Sequence, residues 1–288
     1  MSKRLSPALK ALIGAPFARP NTLAAPPRIK AVYTQLKNEA TSKEVAPSCW
    51  IALSTAATMT MNSAESLGIL YNLATSETNN TNERVNTAEF MREIGLKCIG
   101  FNGVPRTINC LGAFREGLPQ EIVAQLSTEP TRKPTRENIE DIIARGDGLW
   151  ESIYHPFSSK LEAKLAQSHP DLPVHILNHE YGALFSDPPA AYPARVGRVL
   201  TSIVAVSCLR SQTGVGPQVT SHVFGLRKAF EDGSAEKEGK ELSAPDGSGE
   251  KWLASDEGNV WLLESVDKIV ECLGEGNGSS FAPGMSKL

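Results

Sequence analysis

The chain has 288 residues, of which 41% are apolar and 21% charged, enough to bury a core and too apolar for a disordered chain. Its 29 Lys and Arg stand against 32 Asp and Glu, a net charge of -3, so no basic excess exists to neutralise a phosphate backbone and nucleic acid is excluded as the main partner. No apolar run approaches the roughly 18 residues that cross a bilayer, so no membrane span is expected.

Residues 1–28 form a basic N-terminal arm. No acid occurs before Glu39, and Leu5, Leu9, Leu12, Ile13 and Phe17 recur at helical spacing, a composition like that of a mitochondrial transit peptide. Residues 29–126 make a first helical repeat. An Ala-rich helix is predicted over 48–60, and a second over 63–75 with its apolar stripe at 67, 70, 71 and 73–74. A helix pair over 87–101 and 105–117 flanks Asn102-Gly103. Residues 127–138, rich in Thr, Pro and charge, read as a linker.

A second repeat spans 139–273. His175 and His179 sit four apart, on one helix face, and are weak metal candidates because no third ligand is evident. The segment 195–212 is apolar almost all round, the mark of a buried helix. Residues 231–258 carry nine acids and three lysines among many Gly and Ser, and read as a solvated acidic insertion. The last helix, about 259–273, places Leu263, Val266, Ile269, Val270 and Leu273 on one stripe before Gly274. Residues 274–288 are a flexible tail ending in Ser286-Lys287-Leu288, a peroxisomal address read by an import receptor. Peroxisome ranks ahead of mitochondrion. Strand signals are scarce, and the fold class expected is all-α.

Five cysteines, Cys49, Cys98, Cys110, Cys208 and Cys272, form no C-x-x-C pair and no zinc-finger spacing, which fits a reducing compartment. No dinucleotide fingerprint, P-loop or nucleophile elbow is present, and no cofactor is expected.

The halves align weakly on a Pro-containing turn. Pro105, Leu111, Phe114 and Arg115 lie over Pro217, Val223, Leu226 and Arg227, and Arg92-Glu93 lies over Arg198-Val199. These segments, with Tyr181-Gly182, Asp187, Arg195-x-x-Arg198 and Gly216-Pro217-Gln-Val-Thr-Ser-His222, resemble the carboxymuconolactone decarboxylase and alkylhydroperoxidase-like superfamily over roughly 45–118 and 150–230, its duplicated fungal-type members above all. The resemblance implies two helical repeats packed as a pseudo-dimer, a small-molecule substrate and homo-oligomers. It also implies catalysis by a Glu and a His, and here the chain departs from the pattern. The first half keeps Glu93 but has Cys110 where the His would stand, while the second keeps His222 but has Val199 in place of the Glu. The peroxidase C-x-x-C pair is absent.

His222 is the leading proton-transfer candidate, with Glu93 as a buried carboxylate or a partner of Arg92 or Arg115. Cys110 is a reactive thiol if it lies in the first turn of its helix, where the dipole favours thiolate. Arg195 or Arg198 would hold a substrate carboxylate. Three functions follow: a decarboxylase-like or peroxidase-like enzyme acting on a small organic acid, lactone or hydroperoxide; a non-catalytic relative serving as a binding or oligomeric scaffold; or a thiol redox protein using Cys110.

Overall fold

The computed structural model of the chain describes residues 5–187, 194–237 and 248–281. The first half contains α1 (Pro7–Ile13), α2 (Ile29–Ser42), α3 (Pro47–Thr60), α4 (Ala64–Ala74), α5 (Thr81–Lys97), α6 (Ile99–Asn102), α7 (Val104–Gly117) and α8 (Gln120–Val123). The second contains α9 (Ile139–Tyr154), α10 (Ser158–Ser168), α11 (Asp171–Val174), a π-helix (His175–Leu184), α12 (Gly197–Gln212) and α13 (Gly216–Glu231). α14 (Ser234–Lys237), α15 (Ser248–Leu253) and α16 (Asp256–Leu273) complete the chain. No strand forms among the described residues, and the protein is all-α.

Two helices that lack a polar face make the centre. In α3, Pro47 presets the first turn, and every side chain from Cys49 to Thr60 is buried. Ala52, Ala56 and Ala57 keep it thin, so neighbouring helices approach closely. In α12, the helix predicted over 195–212, only Arg210 reaches solvent between Arg198 and Gln212. The two helices meet where the Cys208 thiol lies 3.9 Å from the Ala56 carbonyl. α16 covers both and buries Leu262, Val266, Ile269 and Leu273, each worth about 1.5–3 kcal/mol when removed from water. On its other side Trp261 Nε1 donates to Glu39 at 2.8 Å and anchors α2.

A smaller core of Trp150, Ile153, Leu177, Tyr181 and Phe185 joins α9 to the π-helix. Backbone nearly touches backbone here. A Cβ on Gly146 would fall 2.3 Å from the Leu177 carbonyl oxygen, and one on Gly182 2.5 Å from that of Ile142. Only glycine fits either place.

Three polar segments are tied down more firmly than their composition predicts. The connector between the halves is strapped along α5: the Ser127 amide donates to Glu89, and Arg132 reaches Glu93. The acidic stretch 231–258 is not solvated throughout, because α15 buries Gly249, Glu250 and Leu253, with Gly249 pressed against the Glu44 backbone. The start of the C-terminal tail is pinned as well. Ser279 Oγ donates to the Ser211 carbonyl at 2.5 Å, and the Arg106 guanidinium stacks 4.7 Å from the Phe281 ring. Ser286-Lys287-Leu288 lie outside the described residues. At the other end, α1 buries no residue.

Candidate functional site

α13 begins at Gly216-Pro217 and carries His222 on the face turned to α9 and α12. The imidazole is 6% exposed and ringed by aromatics. Phe101 meets it edge-on at 6.1 Å and Tyr154 at 6.2 Å, and Tyr154 Oη stands 3.5 Å from Nε2. Tyr154 in turn shares a 3.1 Å hydrogen bond with Tyr181. Nδ1 is buried and has no hydrogen-bond partner among the described residues. Burial, helped by the nearby Arg198 charge, pushes the imidazole down to about 4, so it is neutral at physiological pH and can accept a proton but not readily hold one.

Glu93 lies in a different environment. It sits in the last turns of α5, 5% exposed, with Lys97 one turn on and wholly buried. Arg132 from the connector grips both Glu93 oxygens, Nη1 at 3.2 Å, and its Nε donates to the Ser186 carbonyl at 3.2 Å. Lys97 Nζ donates to the Phe185 carbonyl and stands 3.8 Å from Glu93 and 3.3 Å from Asp187. Asp187 completes the set by accepting from the Val196 and Gly197 amides at 3.1 and 2.8 Å, which anchors the start of α12. Two carboxylates thus face two cations. Burial pushes Glu93 up and Lys97 down, towards their neutral forms, and the opposite charges pull each back. The partner of Glu93 is therefore neither Arg92, which pairs with Glu89 at 2.9 Å, nor Arg115.

No hydrogen bond joins Glu93 to His222. The contacts between them run through Lys97, the Phe185 backbone, and the Phe185 and Phe101 rings, stacked at 5.2 Å with 11° between planes. Glu93 is held by Arg132 and Lys97, whereas His222 faces Phe101 and Tyr154.

The other candidates fall elsewhere. Arg198 donates to Ser152 Oγ at 3.0 Å, to Ser202 Oγ and to the Gly225 carbonyl at 2.7 Å, so the expected substrate contact gives way to a cross-link between α9, α12 and α13. Arg195, more exposed, stands 3.9 Å from Asp187. Cys110 lies in the second turn of α7 and not the first; it is fully buried, and desolvation pushes its thiol up to about 12, which leaves almost no thiolate at neutral pH. Cys272 is partly exposed. His175 and His179 do share a face, Nδ1 to Nδ1 at 2.9 Å, but no cluster of three metal-ligating side chains occurs among the described residues. Lys97 and Arg132 had no place in the sequence analysis, and Asp187 stood there only as part of a motif, with no role. The one signal for them was Lys97, four residues after Glu93 and set between Leu96 and Cys98 in an apolar stripe.

The chain is 32% identical over 158 residues to a protein of Saccharomyces cerevisiae (strain ATCC 204508 / S288c) named Peroxisomal protein 2, an alignment covering 48% of this chain and 53% of that one. This protein is peroxisomal. The chain spans about half the length of the curated relative it matches. No protein-family profile matches it, and neither does any solved structure. The described helices include none long and apolar enough to cross a membrane.

Proposed function

We propose that this protein is a peroxisomal relative of the carboxymuconolactone decarboxylase and alkylhydroperoxidase-like superfamily, duplicated into a pseudo-dimer of helical repeats, that keeps the scaffold as a small-molecule-binding protein. The arrangement of Glu93 carries this reading. A general base must come within hydrogen-bond reach of its partner or substrate, yet both Glu93 oxygens are engaged by Arg132, with Lys97 beside one of them, and no hydrogen bond joins Glu93 to His222. The buried, protonated thiol of Cys110 gives no support to a redox role. Homo-oligomer formation belongs to the same proposal.

Purified protein incubated with lactone acids, or with alkyl hydroperoxides and a dithiol, is expected to show no turnover beyond that of its His222→Gln variant. Turnover that drops about 100- to 10,000-fold in that variant, the usual worth of a general acid or base, would overturn the binding reading. It would favour the second one, a proton-transfer enzyme, which rests on the unpartnered Nδ1 of His222.

Delivery, on this proposal, is through recognition of Ser286-Lys287-Leu288 by the peroxisomal import receptor. Deleting these three residues from a chain tagged at its N-terminus is expected to turn punctate fluorescence diffuse. Puncta that persist after the deletion would assign import to another signal.

A further inference from the structure

An open groove of about 680 Å³ lies between the end of α9, α10 and α13, within the range typical of small-molecule sites. Its floor is apolar. Phe157 and Phe224 are 66% and 64% exposed there, beside Leu161 and Tyr154. Exposed aromatics of this size are a solvation cost that an apolar ligand would relieve.

The rim is cationic, with Lys160, Lys164, Arg227 and Lys228 against a single acid, Glu231. Arg227 is committed to Asp256, and Lys228 donates to the carbonyls of Glu151 and His155 at 3.4 and 3.0 Å. Lys160 and Lys164, one turn apart on α10, have no ion-pair partner among the described residues. Two uncommitted ammonium groups therefore edge an apolar trough. A second copy of the chain is a poor occupant, because a two-fold interface would set this cationic rim near itself.

We propose that the groove binds a fatty carboxylate, its chain along Phe157, Leu161 and Phe224 and its head between Lys160 and Lys164. This names the ligand class of the binding reading and rests on it. One side chain separates the groove from the buried histidine, since Tyr154 lines the groove and stands 3.5 Å from His222 Nε2.

Isothermal titration of the full chain with laurate is expected to show saturable one-site binding that weakens as salt is added. Replacing Lys160 and Lys164 together with Ala should weaken it about tenfold or more, as expected for lost charge-assisted contacts, and Phe224→Asp should abolish it. The melting temperature should hold in both variants, since all three side chains are solvent-exposed. Dodecanol, with the same tail and no charge, should bind more weakly than laurate. Equal binding of dodecanol, or laurate binding indifferent to both variants, would overturn the proposal. So would attachment to phosphatidylglycerol vesicles without laurate binding, which would make the face a membrane surface. A dimer in light scattering that Phe224→Asp dissociates would make it a contact between copies and would overturn it too. Failure of laurate to bind sinks the groove assignment and leaves the binding reading open to other ligands. Conversion of bound laurate to a product would instead sink the binding reading and leave the groove assigned.

Discussion

Replacing Lys97 with Met is expected to destabilise the protein by about 3–5 kcal/mol, the usual cost of removing one member of a buried ion pair. The ammonium is inaccessible to solvent and answers two carboxylates, Glu93 and Asp187, while donating to the Phe185 carbonyl. A methionine fills the same stem volume and supplies neither charge nor donor. Asp187 keeps some access to water, but Glu93, 5% exposed, would be left to Arg132 alone. Removing Glu93 together with Lys97, as Met at both, should cost less than Lys97→Met alone, because the double change leaves Arg132 and Asp187 as one acid and one base. Urea denaturation of the three proteins at neutral pH checks this. A loss below about 1 kcal/mol for Lys97→Met would show that the network contributes no more than an exposed pair.

Acid should weaken the fold through His222. Its ordinary value near 6.5 applies to the unfolded chain, and burial lowers it to about 4 in the folded one. Between these values the unfolded state binds more protons, so stability rises with pH across that window. The contribution is complete above about pH 6.5 and is lost as the pH falls towards 4, a difference of about 3 kcal/mol. Glu93 acts in the opposite sense: its raised carboxyl makes the folded state hold its proton longer, and stability declines as pH rises through that range. The difference between the parent protein and His222→Gln isolates the imidazole. That difference, followed by denaturation at pH 7 and pH 4.5, should shrink in the parent's disfavour by most of the 3 kcal/mol on acidification. An unchanged difference would mean that the imidazole is hydrated and titrates normally.

Helical periodicity and the scarcity of strand signals fixed the fold class correctly, because an all-α core is written in local spacing. The buried nature of α12 was equally legible, since a helix without a polar stripe has nowhere to face but inward. The site was legible only in part. His222 and Glu93 stood out as residue types, but their neighbours are set by tertiary packing. Arg132 sits in a stretch whose Thr, Pro and charges look like any exposed connector, and Asp187 precedes a break in the helical pattern. Nothing local reveals that a lysine in α5 meets residues some ninety positions later. The length of α15 was hidden for a similar reason: glycines and acids read as solvated chain, although Gly249 is there to admit the Glu44 backbone.

The placement of α3 has a consequence for how the chain is made. Its exposed face in the nascent protein is the one that later receives α12, and Ala56 and Cys208 are 152 residues apart. At about 5–20 residues per second, that surface would wait about 8–30 s on the ribosome before its cover emerges. Helix formation and chain collapse are far faster. The first half therefore waits through much of the making of the second with this face of α3 uncovered, and α16, later still in the chain, then packs on both α3 and α12.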